Sequence, residues 1–340
     1  MRKIRIAQIG IKHDHASDCA RTLKKLSDIF EFVGIAAPDD VVYNPETASG
    51  LSHVAYKDVN VYELDELLSM DLDAVVIESD ELSSTKYAKM AIDRGLHVYL
   101  DKPGGICHKE FCEMVNEARE KNLVFNMGYM YRYNPVIKKV IDEIKNGEFG
   151  EIYSVEAHMD CMHKDVKREW LKQIPGGMLY FLGCHLIDLI FAIQGEPEEV
   201  IPLSCATGIE NTTAKDYGMV AFKYKNGVSF AKTCAAEPGG FMRRQLVVCG
   251  SKKTVEIKPL EYYAEGGKIK TDYREVTREE ALSHGWGIIG EKQSTEPFDR
   301  YEDMIRGFYK MITGEIENNW DYDYEIKLHE ILLKACGEEI

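Results

Sequence analysis

Within the first 127 residues, short apolar runs alternate with stretches whose apolar residues recur at helical spacing, and few folds accept that order. Lys3-Ile-Arg-Ile-Ala-Gln-Ile-Gly10 reads as a buried strand closed by glycine. A helical stretch follows to about Ser27, with Leu23, Leu26 and Phe30 at helical spacing. Glu31–Ala37, Leu72–Glu78, Leu96–Leu100 and Leu123–Met127 are further strands. Helices separate the later strands. One stops at Arg94-Gly95, where glycine tolerates a left-handed cap, and one spans about Lys109–Lys121. Strict alternation of this kind implies parallel strands with crossover helices on both faces. The expected fold of residues 1–125 is therefore α/β, a doubly wound parallel sheet of Rossmann type.

After about Gly150 the pattern changes. Tyr153–His158, Glu199–Cys205, Tyr217–Tyr224, Val228–Cys234, Arg244–Cys249 and Thr254–Ile257 are consecutive strand candidates with few helices between them. Asn226-Gly227 between two of them is a hairpin signal. Residues 126–340 are thus expected to form an α+β domain with a large, mostly antiparallel open sheet. Two helices close the chain, about Phe298–Ile312 and Tyr324–Cys336, and are free to pack back on the first domain. They are too few to cover both faces of the sheet as well, so a homodimer or homotetramer is expected.

The chain has 42 basic and 57 acidic residues, a net charge of −15, which repels nucleic acid and anionic membrane in general. No apolar run approaches the roughly 18–20 residues of a spanning helix, and no signal-peptide core follows the N-terminus. The nine cysteines are scattered without a CxxC pair and read as reduced thiols, so the cytoplasm is the expected compartment. A small-molecule partner is expected.

Gly10 stands where a dinucleotide-binding turn begins. Of the three glycines of the usual fingerprint, the second and third are replaced by Lys12 and His15, with His13 and Asp14 between. A helix N-terminus still offers phosphate its amides and a positive dipole end, and Lys12 adds a charge; the two histidines alternatively serve only to cap the helix. The second strand ends Ala36-Ala37-Pro38-Asp39-Asp40, so Asp39 is the candidate ribose ligand. No arginine follows it for a 2′-phosphate, which favours NAD, with NADP possible.

Three further segments resemble the Gfo/Idh/MocA family of sugar and polyol dehydrogenases. Gly95-Leu-His-Val-Tyr-Leu-Asp101-Lys102-Pro103 looks like that family's strand ending in Glu-Lys-Pro. Gly128-Tyr-Met-Tyr-Arg132-Tyr-Asn-Pro135 is similar to its crossing segment. Gly176-Gly177-Met-Leu-Tyr180-Phe181-Leu-Gly183-Cys-His185-Leu-Ile-Asp188 is similar to its glycine-rich helix with His-x-x-Asp. The resemblance implies Lys102 and His185 as catalytic residues, converging on one cleft between the domains. It implies cofactor contacts from Gly10, Ile11, Lys12, His13, Asp39, Ser79, Asp101 and Arg132, substrate contacts from Tyr129, His163, Trp170 and Tyr180, and a homo-oligomer. The chemistry suits these residue types. A lysine at a strand end can hold a substrate oxygen and stabilise developing negative charge, and histidine exchanges a proton near neutrality.

One departure matters. Many members carry an aspartate four residues before the histidine, and this chain has Phe181 there with Tyr180 beside it. Either His185 works alone, or Tyr180 assists, or redox activity is lost. His158, Cys161 and His163 match no standard metal spacing and are read, with Lys164, Arg168 and Trp170, as lining the substrate pocket; no metal is expected. The leading expectation is hydride transfer between NAD(P) and a secondary alcohol of a sugar, sugar derivative or cyclitol. The rivals are a redox-assisted lyase or glycoside-processing enzyme that recycles its NAD, and a catalytically inactive dinucleotide-binding sensor.

Overall fold

The computed structural model of the chain describes residues 2–38 and 53–340. It divides into two compact units, one made of Met1–Tyr129 with Tyr301–Glu330, the other of Met130–Arg300 with Ile331–Ile340. The boundary falls a few residues later than the expected 125, and the chain returns to the first unit near its end.

The first unit runs β1 (Ile4–Ile9), α1 (Ala16–Lys25), β2 (Phe30–Ala36), β3 (Val61–Tyr62), α2 (Leu64–Ser69), β4 (Ala74–Ile77), α3 (Ser84–Asp93), β5 (His97–Leu100), α4 (His108–Glu120) and β6 (Phe125–Met127). Its six strands form one sheet in the order β3-β2-β1-β4-β5-β6, and every neighbouring pair is parallel. Ala74-Val-Val-Ile77 is buried throughout, since helices cover both faces of such a sheet. Helix α1 buries Ala16, Cys19, Ala20 and Leu23, an i, i+3, i+4, i+7 stripe. The closing part of the unit stacks Tyr309 edge-on to Phe30, with centroids 5.7 Å apart, and Phe308 on Tyr99 at 6.1 Å. Asn318 donates to the Phe125 carbonyl at 3.2 Å and the Tyr322 hydroxyl to that of Leu123 at 2.8 Å.

The second unit runs α5 (Pro135–Lys145), β7 (Ile152–His158), α6 (Asp165–Trp170), α7 (Cys184–Gln194), β8 (Glu199–Pro202), β9 (Tyr217–Tyr224), β10 (Gly227–Cys234), β11 (Gln245–Gly250), β12 (Lys253–Ile257), β13 (Tyr262–Tyr263), β14 (Ile269–Lys270), β15 (Asp272–Thr277), α8 (Arg278–His284) and β16 (Gln293–Ser294). Helices α9 (Glu302–Ile312) and α10 (Tyr322–Cys336) follow; α9 belongs to the first unit and α10 straddles the division. Eight strands form a sheet in the order β16-β15-β12-β11-β7-β10-β9-β8, antiparallel except for the pair β7/β10. Asn134 caps α5, its side chain accepting from the amides of Val136 and Ile137, with Pro135 at the first helical position.

One face of the sheet is buried under α7, which is itself enclosed along nearly its whole length. The other face carries a half-buried row, Ala221, Phe230, Glu156 and Val247, in register across β9, β10, β7 and β11. The β9/β10 hairpin forms as expected, but its loop is Lys225-Asn226, because Tyr224 pairs with Gly227. Gly227 answers a different need: a Cβ there would lie 1.9 Å from the Tyr153 carbonyl oxygen of β7. Among the described residues no helix is long and apolar enough to cross a membrane, and none of the nine cysteines is in a disulfide.

Candidate active site

In a parallel sheet the carboxyl ends of all strands share one edge, and adjacent strands bring the residues that follow them together. Here β1, β4 and β5 are neighbours, so Gly10–His15, Glu78–Asp80 and Asp101–Lys102 meet. Gly10 has φ +92°, and a Cβ on it would lie 2.4 Å from the Ser79 amide nitrogen, so only glycine fits. Ile11 and Ser79 are buried and Lys12 is half-buried. The turn satisfies its own amides: those of Lys12 and His13 donate to the Glu78 carbonyl at 3.2 and 3.1 Å, and that of His15 to His13 Nδ1 at 3.2 Å. The sequence reading offered these amides to phosphate. All three are taken, and the His13 ring, 1% exposed, turns inward. Asp39 lies outside the described residues.

Asp101 is the hub of this edge. Its Oδ1 accepts the Lys102 amide at 2.7 Å, and its Oδ2 lies 3.1 Å from His15 Nδ1 and 3.4 Å from His13 Nδ1. Burial pulls its pKa upward, but His13, His15 with its hydrogen bond, and Lys102 outweigh this and hold the carboxyl below its usual range. Burial pushes His13 down to about 3, with Asp101 opposing and Lys102 and His15 reinforcing, so its ring is neutral at physiological pH. Glu78, fully buried, has Oε2 3.6 Å from His13 Nδ1, and burial followed by the Asp101 charge raises its pKa well above normal. Lys102 is only 2% exposed, which sets it apart from a solvated lysine before a turn. Tyr129 is buried just beyond β6, after Gly128, whose missing Cβ would sit 2.9 Å from Asp101 Oδ1.

In the second unit, His185 lies on the first turn of α7, 1% exposed, with the Tyr131 ring edge-on at 5.1 Å. Asp188 does not serve it. That carboxylate takes Nε and Nη2 of Arg132, at 3.0 and 2.8 Å, in a pair whose two side chains are each 1% exposed. Arg132, expected at the cofactor, thereby fastens the segment carrying Tyr131 to the helix carrying His185. The Tyr131 hydroxyl donates to Glu261 at 2.6 Å, which also receives Arg244 and Arg300. Leu179–Gly183, just before α7, is π-helical, a form that recurs at functional sites. Phe181 within it meets Trp170 at 5.7 Å and His163 at 6.2 Å between ring centroids, while Tyr180 is buried beside it in the chain.

Into that aromatic cluster reaches Lys167, which the sequence reading missed. It is fully buried, with Nζ 4.2 Å from the Trp170 centroid and 4.0 Å from that of Phe181. Its signal was the i, i+3 spacing to Trp170 on one helix face. Arg168, expected to line the pocket, is buried the other way, on Asp216 and Glu210. The His158–Cys161–His163 run gathers no metal-capable group; His158 packs against Phe230 instead. Among the described residues such a group forms elsewhere, from His13, His15 and Asp101.

Comparison with known proteins accounts for both units. Residues 4–129 match the model of the oxidoreductase family with an NAD-binding Rossmann fold, and residues 137–256 match the Gfo/Idh/MocA C-terminal domain. An oxidoreductase of Schizosaccharomyces pombe is 31% identical over 154 residues, 44% of this chain and 42% of its own. The trans-1,2-dihydrobenzene-1,2-diol dehydrogenase of Xenopus tropicalis is 21% identical over 232 residues, 66% of this chain and 68% of its own. Over the whole chain the fold resembles that of the WlbA dehydrogenase from Bordetella pertussis, solved with NADH and UDP-GlcNAcA. The TM-score is 0.74 at 17% identity, covering 100% of this chain and 98% of the other. The matches to the first curated relatives span less than half the length of each. With both of its characteristic domains matched in order along one chain, the protein belongs to the Gfo/Idh/MocA oxidoreductase family.

Proposed function

We infer that the protein transfers a hydride between a nicotinamide dinucleotide, NAD before NADP, and a secondary alcohol of a sugar, sugar derivative or cyclitol. The observation that carries this reading is Lys102, an ammonium withdrawn from solvent at the carboxyl end of β5 with Asp101 beside it. The crevice between β1 and β4, where the strand order reverses, suits a dinucleotide. Gly10, Ile11, Lys12, His13 and Ser79 would border it, and Asp101 and Arg132 are the remaining proposed contacts. The bound nicotinamide supplies the hydride acceptor or donor.

The chain's own groups do the rest. Lys102 holds the carbinol oxygen and stabilises the charge that grows there as the hydride leaves. His185 takes the hydroxyl proton and returns it in reverse. His163, Trp170 and Tyr180, with Tyr129, present ring faces and polar edges, which suit a sugar. The half-buried row on the open sheet face supports burial against a second copy, as a homodimer or homotetramer, and scattered cysteines without a CxxC pair are in keeping with a cytoplasmic setting.

The test is a polyol and sugar panel read by the absorbance of reduced nicotinamide. His185→Ala should lower turnover about 10²- to 10⁴-fold, and Lys102→Ala at least as much, with NAD affinity by calorimetry little changed. Wild-type turnover in both variants would overturn the mechanism. Product formed without net NADH would favour the redox-assisted rival.

A further inference from the structure

The Lys12–His15 stretch that replaces the usual glycines is not explained by hydride transfer. Its two histidines point at the two carboxylates that end β4 and β5. His13 Nδ1 already accepts the His15 amide, so in the neutral ring its proton sits on Nε2. It therefore cannot donate to Asp101 Oδ2 at 3.4 Å or to Glu78 Oε2 at 3.6 Å. His13 Nδ1, Asp101 Oδ2 and Glu78 Oε2 converge in a place almost closed to water. Glu78 is fully buried beside Cys19 and Asp101, and burial followed by the Asp101 charge favours its protonated form. A proton on Glu78 eases this convergence in the empty site, and a metal ion could take that proton's place.

The spacing fits a cation. A tetrahedral ion with bonds of about 2.0–2.1 Å holds its ligand atoms about 3.3–3.4 Å apart. The separations are 3.1 Å for His15 to Asp101, 3.4 Å for His13 to Asp101 and 3.6 Å for His13 to Glu78. One donor atom from each of His13, His15 and Asp101 lies within 4.8 Å of the others, and Glu78 reaches the set through its 3.6 Å approach to His13.

We propose that His13, His15, Asp101 and Glu78 form a binding site for a divalent transition metal of the zinc type, joining the turn after β1 to the ends of β4 and β5. Two imidazoles with carboxylates suit zinc and its first-row neighbours better than calcium or magnesium, which prefer oxygen alone. The ion replaces the His15 amide on His13 Nδ1. It fastens a turn that lacks the usual glycines to the sheet it must sit against.

The experiment is titration of the chelator-treated full chain with Co(II), followed by its visible absorption bands, and then displacement by Zn(II). The expected result is about one Co(II) per chain with bands of four-coordinate intensity, abolished by one equivalent of Zn(II). His15→Ala, at the least buried ligand, and Glu78→Gln, which keeps the shape, should each weaken Co(II) binding at least about tenfold while circular dichroism stays native. No stoichiometric uptake by the wild type would overturn the proposal, and so would unchanged Co(II) affinity in both variants. Both results are read from metal uptake alone, and hydride transfer is tested separately through Lys102 and His185.

Discussion

Replacing Asp188 by alanine should destabilise the second unit far more than an ordinary surface change. Asp188 and Arg132 are each 1% exposed, and the carboxylate is the acceptor for both Nε and Nη2. A hydrogen bond to a charged group contributes about 1.5–3 kcal/mol, so two lost bonds amount to roughly 3–6 kcal/mol. The cost of stranding one member of a buried ion pair, about 3–5 kcal/mol, agrees. A unit the size of Met130–Arg300 with Ile331–Ile340 loses about 2–4 °C of melting temperature per kcal/mol, so the expected fall is about 10 °C. The assay is urea unfolding, in which the midpoint should drop with an unchanged slope. Two companions sharpen the test. Arg132→Met should cost less, because a stranded carboxyl can neutralise itself by binding a proton and a stranded guanidinium cannot. Arg132→Met combined with Asp188→Leu should recover at least half of the loss, since no charge is then left buried. A change below about 1 kcal/mol in Asp188→Ala, or a double variant no better than the single, would refute the reasoning.

Other expectations follow from the packing. Gly227→Ala should cost about 1–3 kcal/mol by urea unfolding, since its Cβ would meet the Tyr153 carbonyl at 1.9 Å and a backbone atom cannot swing aside; wild-type stability would mean that β7 and β10 lie farther apart. Burial pushes His329 down to about 4, against its hydrogen bond to the Gly105 carbonyl and with His108 reinforcing. The unfolded chain then binds the extra proton, so stability is full above about pH 6.5 and falls by up to about 3 kcal/mol as the pH drops to about 4; His329→Gln should flatten that slope in unfolding measured across the window. Light scattering at micromolar concentration should report a dimer or tetramer, and replacing Phe230 and Val247 on the open sheet face by lysine should shift it toward monomer; a monomeric wild type would remove the assembly expected of that face.

The parallel half was legible because buried strands announce themselves: Ala74-Val-Val-Ile77 is apolar without a break, and Gly95 marks the turn into β5. Strand β3 went unread, since Val61-Tyr62 is too short to show a period, and β13, β14 and β16 share that brevity. Among the candidate residues, Lys102 and His185 stood out through their neighbours in sequence. Glu78 did not, since an acid after a buried strand has no local meaning. The order β2-β1-β4-β5 could have supplied one, because it forces residues 10–15, 78–80 and 101–102 together. Asp188 stood out only as the end of the His-x-x-Asp pattern. Its partner, Arg132, is 56 residues away, and no local spacing announces such a pair.

The first unit is discontinuous in the chain, and synthesis is not. When the ribosome has made residue 129 all six strands of the parallel sheet exist, yet Phe30 and Tyr99 still lack Tyr309 and Phe308, and the ends of β6 still lack Asn318 and Tyr322. The whole eight-stranded sheet must emerge before those partners arrive. At translation rates of about 5–20 residues per second, the apolar flank of the nucleotide-binding fold stays open for about 10 seconds or more, within reach of chaperones and of other nascent chains. A premature stop near residue 300 would therefore damage the beginning of the protein, leaving the later-made sheet largely complete and the earlier-made one without its cover.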